Sequence, residues 1–331
     1  MLRQYLLLIR APNLFTVPSN ILSGYFATTQ LGNIEFPQLL SLIFSSVFLY
    51  ASGIVLNDYF DINIDRKERP RRPLASGQIP KRNAIVIAGL SIVAGNTLAW
   101  SVSLNSVIIS SCITIVIFTY NYWFKHNSVS NPLVMGFARF LNVLLGGSSG
   151  ILLLVTNMDL TLLFLGYCLF LYTASISLLS LKEVWLSERF SKKSLIPIIV
   201  SFLAVVLTIV SILIAGLYGY FHIAYTFNLL LFSCVMGISF FRLFSRVRRL
   251  ARFGSYTQYM GWSLEKGEER IDSIDKIDIS QGIQHHIKTM ILSIVVLDSI
   301  FLSGLVGMFA GLAVLLLVIP PILLGRKLYI T

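Results

Sequence analysis

Residues 38–65 read QLLSLIFSSVFLYASGIVLN and then DYFDINID. The first part, 38–57, carries no charge, and as a helix it would be about 30 Å long, enough to cross the hydrocarbon of a bilayer. The second part places carboxylates at Asp58, Asp61 and Asp65. A lipid-compatible span that closes on three acids implies a membrane helix with chemistry at its mouth.

The rest of the chain extends this reading. Of 331 residues, 56% are hydrophobic and 12% charged, where a soluble domain carries roughly 25% charged residues. So little polar surface cannot cover a sphere in water, so lipid must cover it. Apolar runs of span length recur at about 12–31, 83–103, 106–124, 131–154, 160–181, 194–217, 223–241, 287–303 and 307–324. The expected fold is therefore all-α: a polytopic membrane bundle of about nine or ten transmembrane helices in one domain, 1–331. Nine would need 287–324 to be a single bent passage, which strands Arg326 and Lys327 on the far side, so ten is preferred. Arg3 and Arg10 ahead of an apolar run mimic a secretory signal. Pro12 and Pro18 interrupt that run and no small-residue cleavage site follows, so it reads as a retained first helix.

The net charge of +11 would suggest a nucleic-acid partner in a soluble protein, but its placement argues against one. Alternating the spans from a cytoplasmic N-terminus puts every Lys and Arg on one side, apart from Arg139 inside a span. The opposite ends carry Glu35 and Asp159. This is positive-inside asymmetry, a topology signal with no nucleic acid implied. It makes the long loops 58–82 and 242–286 cytoplasmic. The second opens with FRLFSRVRRLARF, a basic amphipathic pattern suited to anionic membrane lipids. A lid over a site is the other reading. Cys112, Cys168 and Cys234 lie far apart in apolar runs and read as buried small hydrophobes without a disulfide or metal framework.

If the helix continues past Asn57, Asp58, Asp61 and Asp65 stack on one face. Three acids at a helix C-terminus repel one another and the helix dipole unless a cation joins them. Oxygen-only ligands suit Mg²⁺, which commonly bridges carboxylates to substrate phosphates. Arg66, Lys67, Arg69, Arg71 and Arg72 follow at once, then Pro73-Leu74-Ala75-Ser76-Gly77. Carboxylates for a metal beside forked guanidinium donors make a diphosphate cradle.

The run NDYFDINIDRKERPRRPLASG, residues 57–77, resembles the first signature of the UbiA superfamily of intramembrane prenyltransferases: N-D-x-x-D-x-x-x-D, then an arginine-rich segment ending R-P-L/I-P-x-G. Ala75 stands where Pro is usual. The resemblance implies that Asp58, Asp61 and Asp65 hold Mg²⁺, with Asp58 and Asp61 catalytic, and that Asn57, Arg69 and Arg72 bind the donor diphosphate. Tyr120-Asn121-Tyr122-Trp123-Phe124-Lys125 resembles the family's tyrosine-then-lysine segment with one extra residue, which makes Lys125 a phosphate ligand. An aromatic belt with an anchoring Lys explains the same residues. Arg139, in GFARFLNVLLGG, and Asn142 one turn on are candidates for binding substrate phosphate or acceptor, because a charge at that depth normally faces a polar interior. Asp298 reads as a paired or protonated interior group with no catalytic role.

The family's second acidic signature belongs after the sixth span. There Lys182 and Glu183 align with its opening, while Leu186 and Phe190 occupy the next acidic positions. Glu183 is then the lone aligned carboxylate and a catalytic candidate. This pattern, with the tail GRKLYIT, looks like the divergent UbiA-like group called EboC, which implies the inner membrane of a bacterium. The implied activity is transfer of an isoprenoid group from a prenyl diphosphate to a small-molecule acceptor. The alternative is a non-catalytic carrier or exporter of an isoprenoid-linked metabolite, which an eroded second signature permits. An alcohol phosphatidyltransferase would need a D-G-x-x-A-R run, and the chain has none.

Overall fold

Prolines open several helices of this protein. Pro12, Pro18, Pro37 and Pro197 each fall in a first turn, where the missing N–H costs nothing. The structure is a computed structural model that describes residues 2–125, 127–149, 159–188, 195–219, 221–260 and 265–328; for 182–188, 249–260, 265–280 and 326–328 it describes the backbone alone. The helices in chain order are α1 Leu2–Leu8, α2 Ala11–Leu14, α3 Val17–Thr28, α4 Phe36–Phe60, α5 Ile62–Glu68, α6 Lys81–Trp100, α7 Leu104–Thr119, α8 Ser130–Gly146, α9 Leu160–Glu188, α10 Ile196–Leu217, α11 Tyr225–Met260, α12 Glu265–Leu305, α13 Met308–Leu315 and α14 Ile319–Leu328. No strand occurs among the described residues.

Eight helical segments are long and apolar enough to cross a membrane among the described residues. Two of the ten expected segments form shorter helices. The stretch 12–31 is divided by its prolines into α2 and the 12-residue α3. The stretch 131–154 begins as α8, whose 17 residues end where Gly147 opens a 3₁₀ turn. Residues 287–324 are not one bent passage: Gly307, at φ 123°, ends the run after α12, and Val314 of α13 packs back on Val295 and Leu302. Within 242–286 the described residues are helical rather than irregular: 242–260 continue α11 and 265–286 begin α12, and the two helices pack together. With 36 and 41 residues these helices are about 54 and 60 Å long, well beyond a hydrocarbon core of about 30 Å.

Burial distinguishes interior from lipid-facing helices. The apolar stretch of α12 is 78% buried, against 28%, 22% and 28% for α6, α7 and α10. Thus α12 is the interior helix, packed against α3, α9, α11 and α13. Leu90, Val93, Ile115 and Leu203 project outward with more than half their surface exposed, an arrangement that only lipid stabilises. Cys168 and Cys234 divide in the same way. Cys168 is buried as expected, whereas Cys234 is exposed on the apolar surface, and all three thiols are free.

Two packing features position the site. A separate apolar cluster of Leu8, Val55, Leu56, Ile62, Leu74, Ile79, Ala84 and Ala88 ties α1, α4, α5 and the 69–80 turn together. Elsewhere α3 and α8 approach until a Cβ on Gly24 would lie 2.0 Å from the Val143 carbonyl and one on Gly146 2.4 Å from that of Ile21. Only glycine allows this approach, and it sets Asn20 beside Arg139.

Candidate active site

The acidic run folds as the spacing requires, with one adjustment. Asp58 lies in the last turn of α4, Asp61 at the junction (φ −85°, ψ 0°) and Asp65 in α5. The i→i−4 ladder continues through the junction, from Asp61 N to Asn57 O at 3.1 Å and from Asp65 N to Asp61 O at 2.8 Å. Asp58 and Asp65 are each 3% exposed, so their charges need partners.

Two arginines supply them, and a lysine meets Asp61. Arg72 Nη1 donates to Asp58 Oδ1 at 3.1 Å and to Asp65 Oδ2 at 2.7 Å. Arg10 Nη2 donates to Asp58 Oδ1 at 2.9 Å. Lys125 pairs with Asp61 and donates to the Asn57 carbonyl at 3.4 Å. Burial pushes the Asp65 carboxyl above the usual carboxylate range, with the Arg72 charge pulling the other way. Burial also draws Lys125 below its ordinary value, against the pull of Asp61.

The turn that presents Arg72 is anchored by Leu74 and Ile79, each 2% exposed, and by Ile79 N to Pro73 O at 3.1 Å. Gly77, at φ 76°, takes the left-handed conformation the turn needs. Arg10 was read only as a positive start, and its contact with Asp58 is new. It lies between α1 and α2 at φ 47°, ψ 55°, a left-handed conformation costing on the order of 1 kcal/mol for a residue with a Cβ. Buried Leu8 on one side and Pro12 on the other hold it there. A basic residue just before a proline-opened span was the available signal.

The extra residue between Tyr120 and Lys125 has a structural explanation. Tyr120–Phe124 form a π turn, with Lys125 N donating to Tyr120 O at 3.0 Å. A π turn absorbs one added residue, so Tyr120 and Lys125, five apart, return to the same face. Asn131 clamps the turn: its Nδ2 donates to Lys125 O at 2.6 Å and Tyr120 Oη at 3.3 Å, and its Oδ1 accepts from Ser177 Oγ of α9 at 2.6 Å.

The remaining candidates lie elsewhere. Arg69 is exposed and outside the ion pairs of the mouth. Glu183 belongs to the end of α9, and its side chain lies outside the described residues. Arg139 and Asn142, each 8% exposed, are deep in the bundle. Arg139 Nη1 donates to Asn20 Oδ1 at 2.5 Å and Nη2 to Thr16 Oγ1 at 3.4 Å, with the guanidinium 5.3 Å from the Tyr50 ring centroid. Asn142 Nδ2 donates to Asn20 Oδ1 at 3.4 Å, and Asn142 Oδ1 accepts from Ser46.

No group of three or more His, Cys, Asp and Glu side chains at metal-ligand spacing occurs among the described residues. Two of the acids nevertheless share one cationic atom, because Arg72 Nη1 is within hydrogen-bond reach of both Asp58 and Asp65. A single positive centre can therefore bridge them. Their oxygen-only donors have the chemistry of a hard divalent ion.

The UbiA prenyltransferase family model matches residues 17–263. Among the relatives is a protoheme IX farnesyltransferase 1 of Vibrio campbellii, 30% identical over 176 residues, 51% of this chain and 59% of that protein. A digeranylgeranylglyceryl phosphate synthase of Methanosphaera stadtmanae is 27% identical over 215 residues, 62% of this chain and 76% of that protein. The synthase of Methanocaldococcus jannaschii is 28% identical over 149 residues, 45% of this chain and 52% of its own length. The chain thus spans between about half and three quarters of these curated relatives. Of solved structures, one of a digeranylgeranylglyceryl phosphate synthase superposes with a TM-score of 0.58 at 21% identity, covering 88% of this chain and 96% of that one. A UbiA homologue from Archaeoglobus fulgidus bound to DMAPP and Mg²⁺ gives 0.55 at 16% identity, covering 86% and 99%. At these identities the structures speak for the fold alone, while the family match covers most of the chain. This integral membrane protein belongs to the UbiA prenyltransferase family.

Proposed function

We propose that this protein transfers a prenyl group from a prenyl diphosphate to a small acceptor at the mouth formed by α4, α5, the 69–80 turn and the Tyr120–Lys125 turn. The observation that carries this reading is Arg72 held between Asp58 and Asp65, with Arg10 and Lys125 on the neighbouring oxygens. The acids are the buried partners of Arg10 and Arg72, whose side chains keep 30% and 21% of their surface. A site built this way can hand its carboxylates to a metal and its N–H donors to an incoming diphosphate.

Asp58 and Asp65, with Asp61 beside them, would hold Mg²⁺, whose chemistry is to withdraw charge from the leaving diphosphate. Arg10, Arg72 and Lys125 would bind diphosphate oxygens and orient the ester bond. The C1–O bond breaks with its electron pair leaving on the diphosphate. The acceptor's electron pair forms the new bond to C1, and the proton the acceptor gives up goes to water at the mouth. The apolar interior below keeps water from C1.

The distribution of Lys and Arg supports a cytoplasmic mouth. Single cysteines at Ser76 and at Gln30, at the other end of the bundle, should label from opposite sides. The likeness to the EboC-like group and to a bacterial inner-membrane setting rests on the sequence motifs alone. The direct test is purified protein in nanodiscs with dimethylallyl and geranyl diphosphate, with and without Mg²⁺, reading donor affinity and pyrophosphate release across an acceptor panel. Mg²⁺-dependent binding with release supports the transferase. Binding that EDTA leaves unchanged overturns the metal–diphosphate reading. Leu186 and Phe190 at acidic positions of the second signature favour the carrier reading, which predicts Mg²⁺-dependent binding without release for every acceptor.

A further inference from the structure

Away from the mouth, charge is concentrated again deep among α3, α4, α8 and α12. Asp298 of α12 is fully buried. Its Oδ2 accepts from Ser19 Oγ and Asn20 Nδ2, both at 2.6 Å, and its Oδ1 from Ser23 Oγ at 3.1 Å. Asn20 then turns its other end to Arg139. A carboxylate only accepts and a guanidinium only donates, so the amide has one orientation: NH₂ towards Asp298, oxygen towards Arg139 and Asn142.

The two buried charges therefore do not touch. Among the described residues no carboxylate lies within 4.0 Å of Arg139, as the described ion pairs all belong to the mouth. If the pair served only to neutralise itself, direct contact would be the stable arrangement, since attraction falls as charges are separated in a low-dielectric interior. Here Asn20 is a spacer that satisfies Asp298 with neutral donors and leaves the guanidinium's charge for something else. The bond from Nη2 to Thr16, at 3.4 Å, is long and readily exchanged for a better acceptor.

One face of α4 runs from the mouth to Arg139. Tyr50, Ile54, Asn57 and Asp61 lie on one helical face, and all four are half-buried. That face looks into the bundle: Tyr50 lies under Arg139, the Asn57 carbonyl and Asp61 meet Lys125, and neighbouring Gly53 faces Ile117 of α7. The outward-facing apolar residues Leu40, Phe44 and Phe48 lie on another side of the helix. Tyr50 precedes Asp58 by eight residues, about 12 Å along an α-helix. That spacing suits a donor ester carbon near the acids, an acceptor nucleophile beside it, and an acceptor of one ring or a few bonds reaching down.

We infer that Arg139 is a specificity-determining residue that binds an anionic group of the acceptor, a carboxylate or a phosphate, about 12 Å below the donor diphosphate. Tyr50 supports the guanidinium from one side, and Asn142, held by Ser46, limits the other. Asp298 and Asn20 are positioning residues that fix the guanidinium's direction. This inference rests on the reading of the mouth as the donor site, so the test measures the two separately.

Wild type, Arg139→Gln and Arg139→Lys in nanodiscs are titrated with geranyl diphosphate and Mg²⁺, then, with donor bound, with matched pairs. One pair is an aromatic hydroxy acid and its carboxamide; the other is a prenylglyceryl phosphate and its phosphate-free diol. Wild type should prefer one charged member over its neutral match by tenfold or more, and the preferred pair distinguishes carboxylate from phosphate. Arg139→Gln should erase that preference without changing donor affinity, and Arg139→Lys, which keeps the charge, should retain part of it. Wild type that treats both members of both pairs alike, or binds none of them, overturns the inference. So does a preference that survives in Arg139→Gln. If that variant does not fold, loss of the preference in Tyr50→Leu decides in favour and its persistence against. Failure of wild type to bind geranyl diphosphate overturns the donor reading, and this inference with it.

Discussion

The mouth and the deep network contain the same kinds of charge arranged in opposite ways. At the mouth three carboxylates meet three cations in direct contact, and the guanidinium groups keep one side in water. In the interior, Arg139 and Asp298 are linked only through Asn20. Direct pairs whose arginines keep part of their surface in water exchange partners at low cost, because the displaced guanidinium is rehydrated. A separated pair sealed from water cannot exchange its anion. It stores a fixed field that acts only on something able to reach the guanidinium. The first arrangement suits a leaving group and a metal that come and go each cycle, the second a standing preference.

Removing the acid shared by two cations should break the mouth most severely. Asp58 accepts from both Arg10 and Arg72, and charge-assisted bonds are worth about 1.5–3 kcal/mol each. Asp58→Ala should lower the Mg²⁺-dependent component of diphosphate affinity by about 100-fold or more. Metal-free binding should not fall, because two guanidinium groups are released. Isothermal titration with and without Mg²⁺ checks both signs, and a parallel loss of the two components would mean that the variant merely unfolds the turn.

The same operation on the deep network should damage the fold and spare the mouth. Asp298→Ala strands Asn20 Nδ2 without its acceptor, at about 1–3 kcal/mol for a buried unsatisfied donor, while Ser19 keeps the Thr16 carbonyl at 2.9 Å and Ser23 the Asp298 backbone carbonyl at 3.4 Å. Unfolding in detergent should show a loss of about 1–3 kcal/mol. Asp298→Asn, which keeps one acceptor oxygen, should lose roughly half as much and bind diphosphate like wild type. Wild-type stability in Asp298→Ala would show the network to be slack and deprive Arg139 of its fixed direction.

These two regions differ in how far the sequence revealed them. The mouth was legible because its acids and arginines are contiguous, and local helical geometry alone stacks positions 58, 61 and 65. Lys125 was legible only as a resemblance with an awkward extra residue, since nothing in YNYWFK announces a π turn. Arg10 was missed because its contact with Asp58 depends on a left-handed backbone between two short helices, set by how Leu8 packs. The deep network was visible as two isolated charges, Arg139 and Asp298. Their connection runs through Asn20, brought to Arg139 by Gly24 and Gly146 across 119 to 278 positions of sequence separation, and no local pattern encodes that. The helical course of 242–260 and 265–286 was not legible because polar composition marks departure from the bilayer, and helices continue in water as readily as in lipid.

A register test on the π turn probes the mouth more gently. Trp123 is 66% exposed on the apolar surface, and deleting it removes the residue that the turn absorbs. The turn can then close as ordinary α-helix with Tyr120 and Lys125 still on one face, and diphosphate affinity should stay within about threefold of wild type. Inserting an alanine between Tyr122 and Trp123 rotates Lys125 by about 100° away from Asp61. Losing one charge-assisted contact should then cost about tenfold, at roughly 1.4 kcal/mol per factor of ten. Equal effects from insertion and deletion would reduce the π turn to an accident of packing.

The smallest expected effect separates two arginines that the sequence put on an equal footing. Arg69 and Arg72 lie one turn apart in the same basic run, and the sequence reading made both diphosphate ligands. Arg72 is half-buried, follows a chain held by Leu74 and Ile79, and bridges two acids. Arg69 is exposed, and its backbone N–H already serves to end α5 on Asp65 O at 2.8 Å. An exposed guanidinium is screened by water and must be immobilised before it can contribute, so its share is at most a few tenths of a kcal/mol to about 1. Arg69→Ala should therefore change diphosphate affinity by less than about fivefold, and that change should fade as salt is raised from low to physiological strength. Arg72→Ala should cost at least tenfold and keep most of that loss in salt. The salt dependence is the sharper measurement, because it reports solvent exposure of the contact in the donor-bound state. A salt-resistant loss in Arg69→Ala would mean that the 69–80 turn closes over the bound diphosphate, bringing Arg69 into a contact that the unliganded mouth does not make.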